Sequence, residues 1–257
     1  MLGSKISSIA HTLTQGLRHF SGCVSMGTED IILASFPRSG STWFRTIFAN
    51  CLNLKNGNRS HTQMKELVQV MPALGYSNLG LGGPDFYRPR LIKTHRLANE
   101  IIPCRPQKYL HLWREPLGVM KSCFRYYSAS RSVQIPSDIS TFIRHQGLAM
   151  PAWKKHHLAW APKATVELKY DSMRSDTAKE ISRVFNELGY KELLPFVSEA
   201  VEMANIENMK KSEKLGVRNP ERFKENFGSI GGGDSDQSNL SDSDVQYIRS
   251  LTEEIDY

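Results

Sequence analysis

The octet Phe36-Pro37-Arg38-Ser39-Gly40-Ser41-Thr42-Trp43 gathers a cation, three hydroxyls and a glycine between an apolar run and an amphipathic one. A junction of strand and helix start offers backbone N–H groups and the positive end of a helix dipole, an anion site before any side chain is counted. Arg38, Ser39, Ser41 and Thr42 add donors, and Gly40 lets the backbone approach a ligand closely. The Walker pattern is not met, because no Lys follows Gly40 and the first Gly is missing. Three further groups lie downstream. Lys93-Thr94-His95 places an amine beside an imidazole, the side chain that titrates near neutrality. Arg114-Glu115-Pro116, with Ser122 eight residues beyond the arginine, offers a charged fork and a hydroxyl suited to a phosphate. Tyr170 closes an alternating run.

These groups need a frame that brings them together. Ile31 to Phe36 (IILASF) reads as a buried parallel strand, followed by a turn over Pro37 to Gly40 and a helix over Ser41 to Leu52. Leu91 to Thr94, Lys108 to Trp113 and Thr165 to Tyr170 read as three more strands. Helices are expected over Met64–Met71, Leu117–Ser128, Asp138–Gln146, Trp153–Trp160 and Thr177–Leu188, with a last one near Ser241–Ile255. The expected fold is therefore α/β, a central and mainly parallel sheet flanked by helices with a P-loop-like strand–loop–helix unit. Each chemical group follows a strand, where such sheets bind ligands.

At this point the chain resembles the sulfotransferases that use 3′-phosphoadenosine 5′-phosphosulfate (PAPS). The octet resembles the family's 5′-phosphosulfate loop, and Arg-Glu-Pro with its distant Ser resembles the 3′-phosphate grip. The resemblance implies that Arg38 stabilises the bridging oxygen and that Ser39, Gly40, Ser41 and Thr42 cradle the phosphate. Trp43 would stack on adenine, and Tyr170 would bond the adenine amine. Arg114 and Ser122 would hold the 3′-phosphate, His95 would act as general base and Lys93 would touch the sulfuryl group. Ile206 would close over the purine. Arg222 or Lys224 would complete the 3′-phosphate site near the C-terminal end, where the usual Arg-Lys-Gly…Gly-Asp-Trp ending is not matched. Asp171 departs from the family's Glu-Asp order after Tyr, and the Trp153…Trp160 helix reads as packing. PAPS is the implied co-substrate and 3′-phosphoadenosine 5′-phosphate (PAP) the product.

Composition narrows the alternatives. The 257 residues suit one sizeable domain, taken as 28–257 after a tail or short helix over 1–27, in which Ile6, Ile9, Leu13 and Leu17 fall at helical spacing. A net charge of +7, from 33 Lys plus Arg against 26 Asp plus Glu, suits a polyanionic ligand without specifying one. Cys23, Cys51, Cys104 and Cys123 have neither CxxC nor zinc-site spacing, so four reduced thiols, no metal and a cytoplasmic location are expected. No aromatic-basic motif points to nucleic acid and no run approaches a membrane span, so the expected partner is a small-molecule acceptor, with no nucleic acid and no membrane. The Gly75–Arg90 segment, with Tyr76, Phe86 and Tyr87, and the pair Tyr126 and Tyr127 are the candidate acceptor wall. Asn226–Asp244 reads as a mobile loop. The competing readings are a nucleotide kinase or NTPase using magnesium, which the absent Walker lysine opposes, and a non-catalytic nucleotide-binding module.

Overall fold

The computed structural model describes residues 2–77, 79, 90–101, 108–215, 223, 228, 230 and 240–255. Four strands, β1 (Ile31–Ser35), β2 (Leu91–Thr94), β3 (Lys108–Trp113) and β4 (Val166–Lys169), form one parallel sheet in the order β2-β1-β3-β4. Eleven α-helices accompany them among the described residues: α1 (Leu2–Ser25), α2 (Ser41–Lys55), α3 (Leu67–Val70), α4 (Pro116–Ala129), α5 (Ile139–Phe142), α6 (Met150–Trp160), α7 (Tyr170–Ser175), α8 (Thr177–Leu188), α9 (Val197–Met203), α10 (Ile206–Leu215) and α11 (Asp242–Thr252).

The apolar run of β1 is buried at every position because both faces of the sheet are covered. Ile31 and Leu33 face Phe44, Phe48, Ile181 and Phe185 of α2 and α8. Ile32 and Ala34 face Cys23, Met26, Leu74 and Trp160 on the opposite side. The amphipathic stripe of α8 buries Ile181, Val184, Phe185 and Leu188, and Gly189, at φ +81, ends the helix as its left-handed cap. A third cluster joins α4, α5, α6 and α11 through Val119, Phe142, Trp153 and Ile248. The Trp153…Trp160 helix is indeed packing, with Trp160 fully buried and its Nε1 donating to the Arg96 carbonyl at 2.9 Å.

β1 pairs with β2 on one side and β3 on the other, both parallel, and this branching opens a crevice at the carboxyl ends of the strands. All four strands end at the expected chemistry: Ser35, Thr94, Trp113 and Lys169 each precede a singled-out group by a few residues.

Several expectations differ from the structure. Residues 2–25 form a full 24-residue helix rather than a tail or a short one, because Gly22, Cys23 and Met26 are buried against Leu74 and Leu79. The helices expected over Met64–Met71 and Asp138–Gln146 shrink to α3 and α5, and Asp138 caps the start of α5 by accepting from Thr141 N–H at 2.7 Å. Cys51 and Cys123 are free and buried, but Cys23 is in a disulfide. Sequence spacing could not show this, since a disulfide depends on which thiols the fold brings within reach. The loop expected over Asn226–Asp244 gives way to α11 from Asp242, and most of the remainder lies outside the described residues, as does most of Gly75–Arg90, Phe86 and Tyr87 included.

Candidate active site

The turn after β1 leads into α2 through two residues in the left-handed region. Gly40, at φ +96, is the residue before the helix and gives it no side-chain cap. Any Cβ at Gly40 would meet the Tyr170 ring at 2.4 Å, so this position needs glycine for its conformation and for the contact. Arg38, at φ +71, is the one non-glycine in that region among the described residues. Such outliers concentrate where surrounding structure holds a functional loop in place. The Arg38 Nε donates to Ser122 Oγ at 3.2 Å, and its guanidinium lies 4.9 Å from the Tyr126 ring centre. Ser41 and Thr42 face a cavity of about 970 Å³ at the start of α2. Ser39 does not line that cavity. It is fully buried beneath the turn, with its Oγ unpartnered.

Lys93 and His95 reach the same cavity from the end of β2. Burial, then Arg45 and Arg38, pull the Lys93 amine down to about 7. Arg45 is itself buried, its guanidinium donating to the carbonyls of Leu67 and Met71. His95 lines the cavity with its side chain exposed. Burial, then Lys93, hold its imidazole well below the usual value, while a bond from Nδ1 to the Ser35 carbonyl opposes them. A carbonyl can only accept, so Nδ1 carries the proton and Nε2 is left as the basic nitrogen.

The other end of the cavity is built from β3, α4, β4 and α7. Arg114 is 9% exposed, its guanidinium lies 4.4 Å from the Tyr170 ring centre, and its Nε has no hydrogen-bond partner. Glu115 caps α4 by accepting from Leu117 N–H and Gly118 N–H at 3.1 and 3.0 Å, and its own N–H donates to Asp171 at 3.3 Å. Asp171, the departure from the family order, thus ties the start of α7 to the turn that carries Arg114. Ser122 sits on α4, with its hydroxyl accepting from Arg38. Trp43 meets Tyr170 edge-on at 6.1 Å and donates from Nε1 to the Ala204 carbonyl at 3.1 Å. Ile206, at the start of α10 and 53% exposed, lines the cavity beside them.

Arg38, Gly40, Ser41, Thr42, Trp43, Lys93, His95, Arg114, Ser122, Tyr170 and Ile206 therefore share one cavity. Arg222 and Lys224 lie outside the described residues. Two cations that sequence reasoning missed also line the cavity, Arg125 and Arg174. Both stood one helical turn from a named residue, Arg125 three after Ser122 and Arg174 four after Tyr170, and that spacing was the signal. Tyr76, Tyr126 and Tyr127 line it as expected. Among the described residues no cluster of His, Cys, Asp or Glu has the makings of a metal site.

Comparison with known proteins agrees with this arrangement. The sulfotransferase domain family matches residues 28–252. The human protein Sulfotransferase 2A1 is 24% identical over 176 residues, which cover 63% of this chain and 59% of that protein. Sulfotransferase 1E1 of Cavia porcellus is 22% identical over 198 residues, 71% of this chain and 66% of that one. The chain thus spans somewhat less than two thirds of these relatives' length. The crystal structure of retinol dehydratase in a complex with retinol and PAP superposes with a TM-score of 0.68 at 17% identity, covering 95% of this chain and 85% of that one. With the strand–loop–helix site in place and the family matched from residue 28 to residue 252, this chain belongs to the sulfotransferase domain family.

Proposed function

We propose that the chain transfers a sulfuryl group from PAPS to a hydroxyl or amine of a small-molecule acceptor, with His95 as general base. One observation carries the reading: an uncapped helix start, the cations Arg38 and Lys93, and an imidazole with a free Nε2 converge on one cavity. The donor is a substrate of three anionic groups. Its phosphosulfate suits the start of α2, where backbone N–H groups have no side chain to satisfy them. Its 3′-phosphate suits Arg114, whose Nε lacks a partner, and Ser122. The purine suits the slot between Trp43, Tyr170 and Ile206. Gly40 and Tyr170 in mutual contact hold the two ends of the donor site at a fixed separation.

The acceptor then lies on the His95 side, against Ala73, Leu74, Tyr76, Tyr126 and Tyr127. The acceptor oxygen or nitrogen forms a bond to sulfur as the bond from sulfur to the 5′-phosphate oxygen breaks. The leaving electron pair departs with PAP, and the acceptor's proton passes to His95 Nε2. Arg38 and Lys93 offset the charge that builds on the bridging and sulfuryl oxygens. Retinol dehydratase, of the same fold, holds PAP together with an apolar alcohol, which supports pairing this donor with an acceptor of largely apolar body.

The test is calorimetric titration with PAP, against 5′-AMP, ATP and ATP with magnesium. Metal-independent binding that requires the 3′-phosphate, weakened about 10- to 100-fold in Arg114→Ala, supports the donor site. His95→Ala should keep PAP affinity and lose about 10²–10⁴-fold in sulfuryl transfer. A preference for magnesium-ATP, or full turnover in His95→Ala, would overturn the reading.

A further inference from the structure

Helix α1 has two apolar faces, and the fold uses one of them. The inner face carries Gly22, Cys23 and Met26, all buried. A Cβ at Gly22 would meet Leu74 at 3.0 Å and Leu79 at 3.2 Å, so the glycine lets the helix lie close against that loop. Gln15 and His19, on the same face, flank Gly75. On the opposite face Leu13, Leu17, Phe20 and Val24 stand 61–71% exposed. Tyr76, from the loop beneath, is 69% exposed and its carbonyl accepts from Arg18 at 3.4 Å. Only Leu158 and Ile206 are comparably exposed among the other large apolar side chains of the described residues. Four large apolar side chains exposed along one helix face are not the scattered exposure ordinary for a protein surface.

We propose that this outer face of α1 docks on an anionic membrane surface, with the helix lying in the plane of the interface and the body of the protein held above it. Charge selects the occupant. Leu2–Ser25 contains Lys5 and Arg18 and no acidic residue, on a chain of net charge +7. An apolar stripe on a helix of cationic balance is what an anionic lipid surface binds. The same charges disfavour a second copy of the helix as the occupant. Two such helices from two copies would bring like charges together with no acidic residue on either to pair them. The expectation of no membrane partner rested on the absence of a spanning segment, and no helix among the described residues is long and apolar enough to cross a membrane. A helix that lies on the surface needs no such length. The proposal is independent of the transfer chemistry, although Leu74 and Tyr76, beneath and beside α1, also line the cavity.

The test is co-sedimentation of the full chain with vesicles of phosphatidylcholine alone or with about one-third phosphatidylserine. The expected result is binding to the mixed vesicles, weaker binding to the neutral ones, and release as salt is raised. The double variant Leu17→Gln and Phe20→Gln, which leaves charge unchanged, should lower the bound fraction at least about tenfold. Its circular dichroism and melting temperature should match the parent, because both side chains are exposed. Failure of the parent to bind, equal binding to both vesicle types, or undiminished binding by the double variant would each overturn the proposal. A parent that sediments as a dimer without lipid, and a double variant that sediments as a monomer, would assign the face to a second copy and overturn it too.

Discussion

Helices α2 and α4 both follow a strand of the same parallel sheet and both start beside the cavity, yet their first turns are treated in opposite ways. At α4 the protein supplies its own anion. Glu115 accepts from two N–H groups of the first turn, Pro116 occupies a position where no N–H is needed, and Asp171 steadies the turn. At α2 nothing of the kind is present. Gly40 has no side chain to offer, the neighbouring charged groups are the cations Arg38 and Lys93, and Ser41 and Thr42 face the cavity. Elsewhere Asp138 caps α5, Asp176 caps α8 and a reciprocal Ser241–Asp244 capping box closes α11, while α3, α6, α7 and α9 also start without a side-chain cap. What distinguishes α2 from α4 is that its open start lies beside the cavity and the cationic side chain of Arg38, which suits the proposed anion from outside, whereas the start of α4 is already satisfied.

The largest effect should come from closing the open start. Gly40→Ala puts a methyl 2.4 Å from the Tyr170 ring at a φ of +96, so the loop and the ring must separate. PAP affinity should fall by more than about 100-fold by calorimetry, with a loss of stability of about 1–2 kcal/mol for the left-handed conformation alone. Wild-type affinity in this variant would show that the turn does not hold the donor.

The cations around α2 allow a subtler test. Lys93 is held down to about 7 in the free protein, so it is charged below that pH and neutral above it. An anionic donor favours the charged form. PAP affinity should therefore fall as pH rises above 7, by at most about tenfold per unit for one linked proton, and Lys93→Met should flatten this dependence. Because His95 is held well below 6.5, transfer should not decline between pH 7 and 6.5 through protonation of the base. A parallel pH profile in Lys93→Met would assign the dependence to another group.

The smallest effect tests the closed start. Glu115→Ala removes both capping bonds of α4 and should cost about 1 kcal/mol in a denaturant melt, with PAP affinity changed only as far as Arg114 loosens. A drop as large as that of Gly40→Ala would mean that the two starts do not play separate parts.

Much of this was legible in the chain because local patterns carried it. The four strands were read within a residue or two at each end, since a buried parallel strand needs an unbroken apolar run and the punctuation after it is strong at Pro37 and Pro116. Helix α8 was read end to end, because its stripe and Gly189 are both local signals. Less legible were features set by contacts across the chain. Ser39 looked like part of the phosphate cradle from its place in the octet, but the direction of the turn sends its side chain into the interior. Arg125 and Arg174 look like ordinary helix-surface charges in the sequence, and only the fold brings α4 and α7 to one cavity. The long reach of α1 depends on the loop around Leu74 and Leu79, which lies some fifty residues away in sequence.

The sequence by itself determined the kind of chemistry: an anion loop without a Walker lysine, a strand-end imidazole beside an amine, and an arginine with a hydroxyl eight residues on. Their types and spacings follow from local backbone geometry, which a linear pattern records. Only the tertiary structure decided which atoms are available to act. The bond from His95 to the Ser35 carbonyl leaves Nε2 as the basic ring nitrogen, burial with Arg45 and Arg38 nearby lowers the Lys93 amine to about 7, and Tyr170 packs on Gly40 across the cavity. Protonation states and distances depend on what surrounds a group in three dimensions, and those neighbours come from strands and helices far apart in the chain.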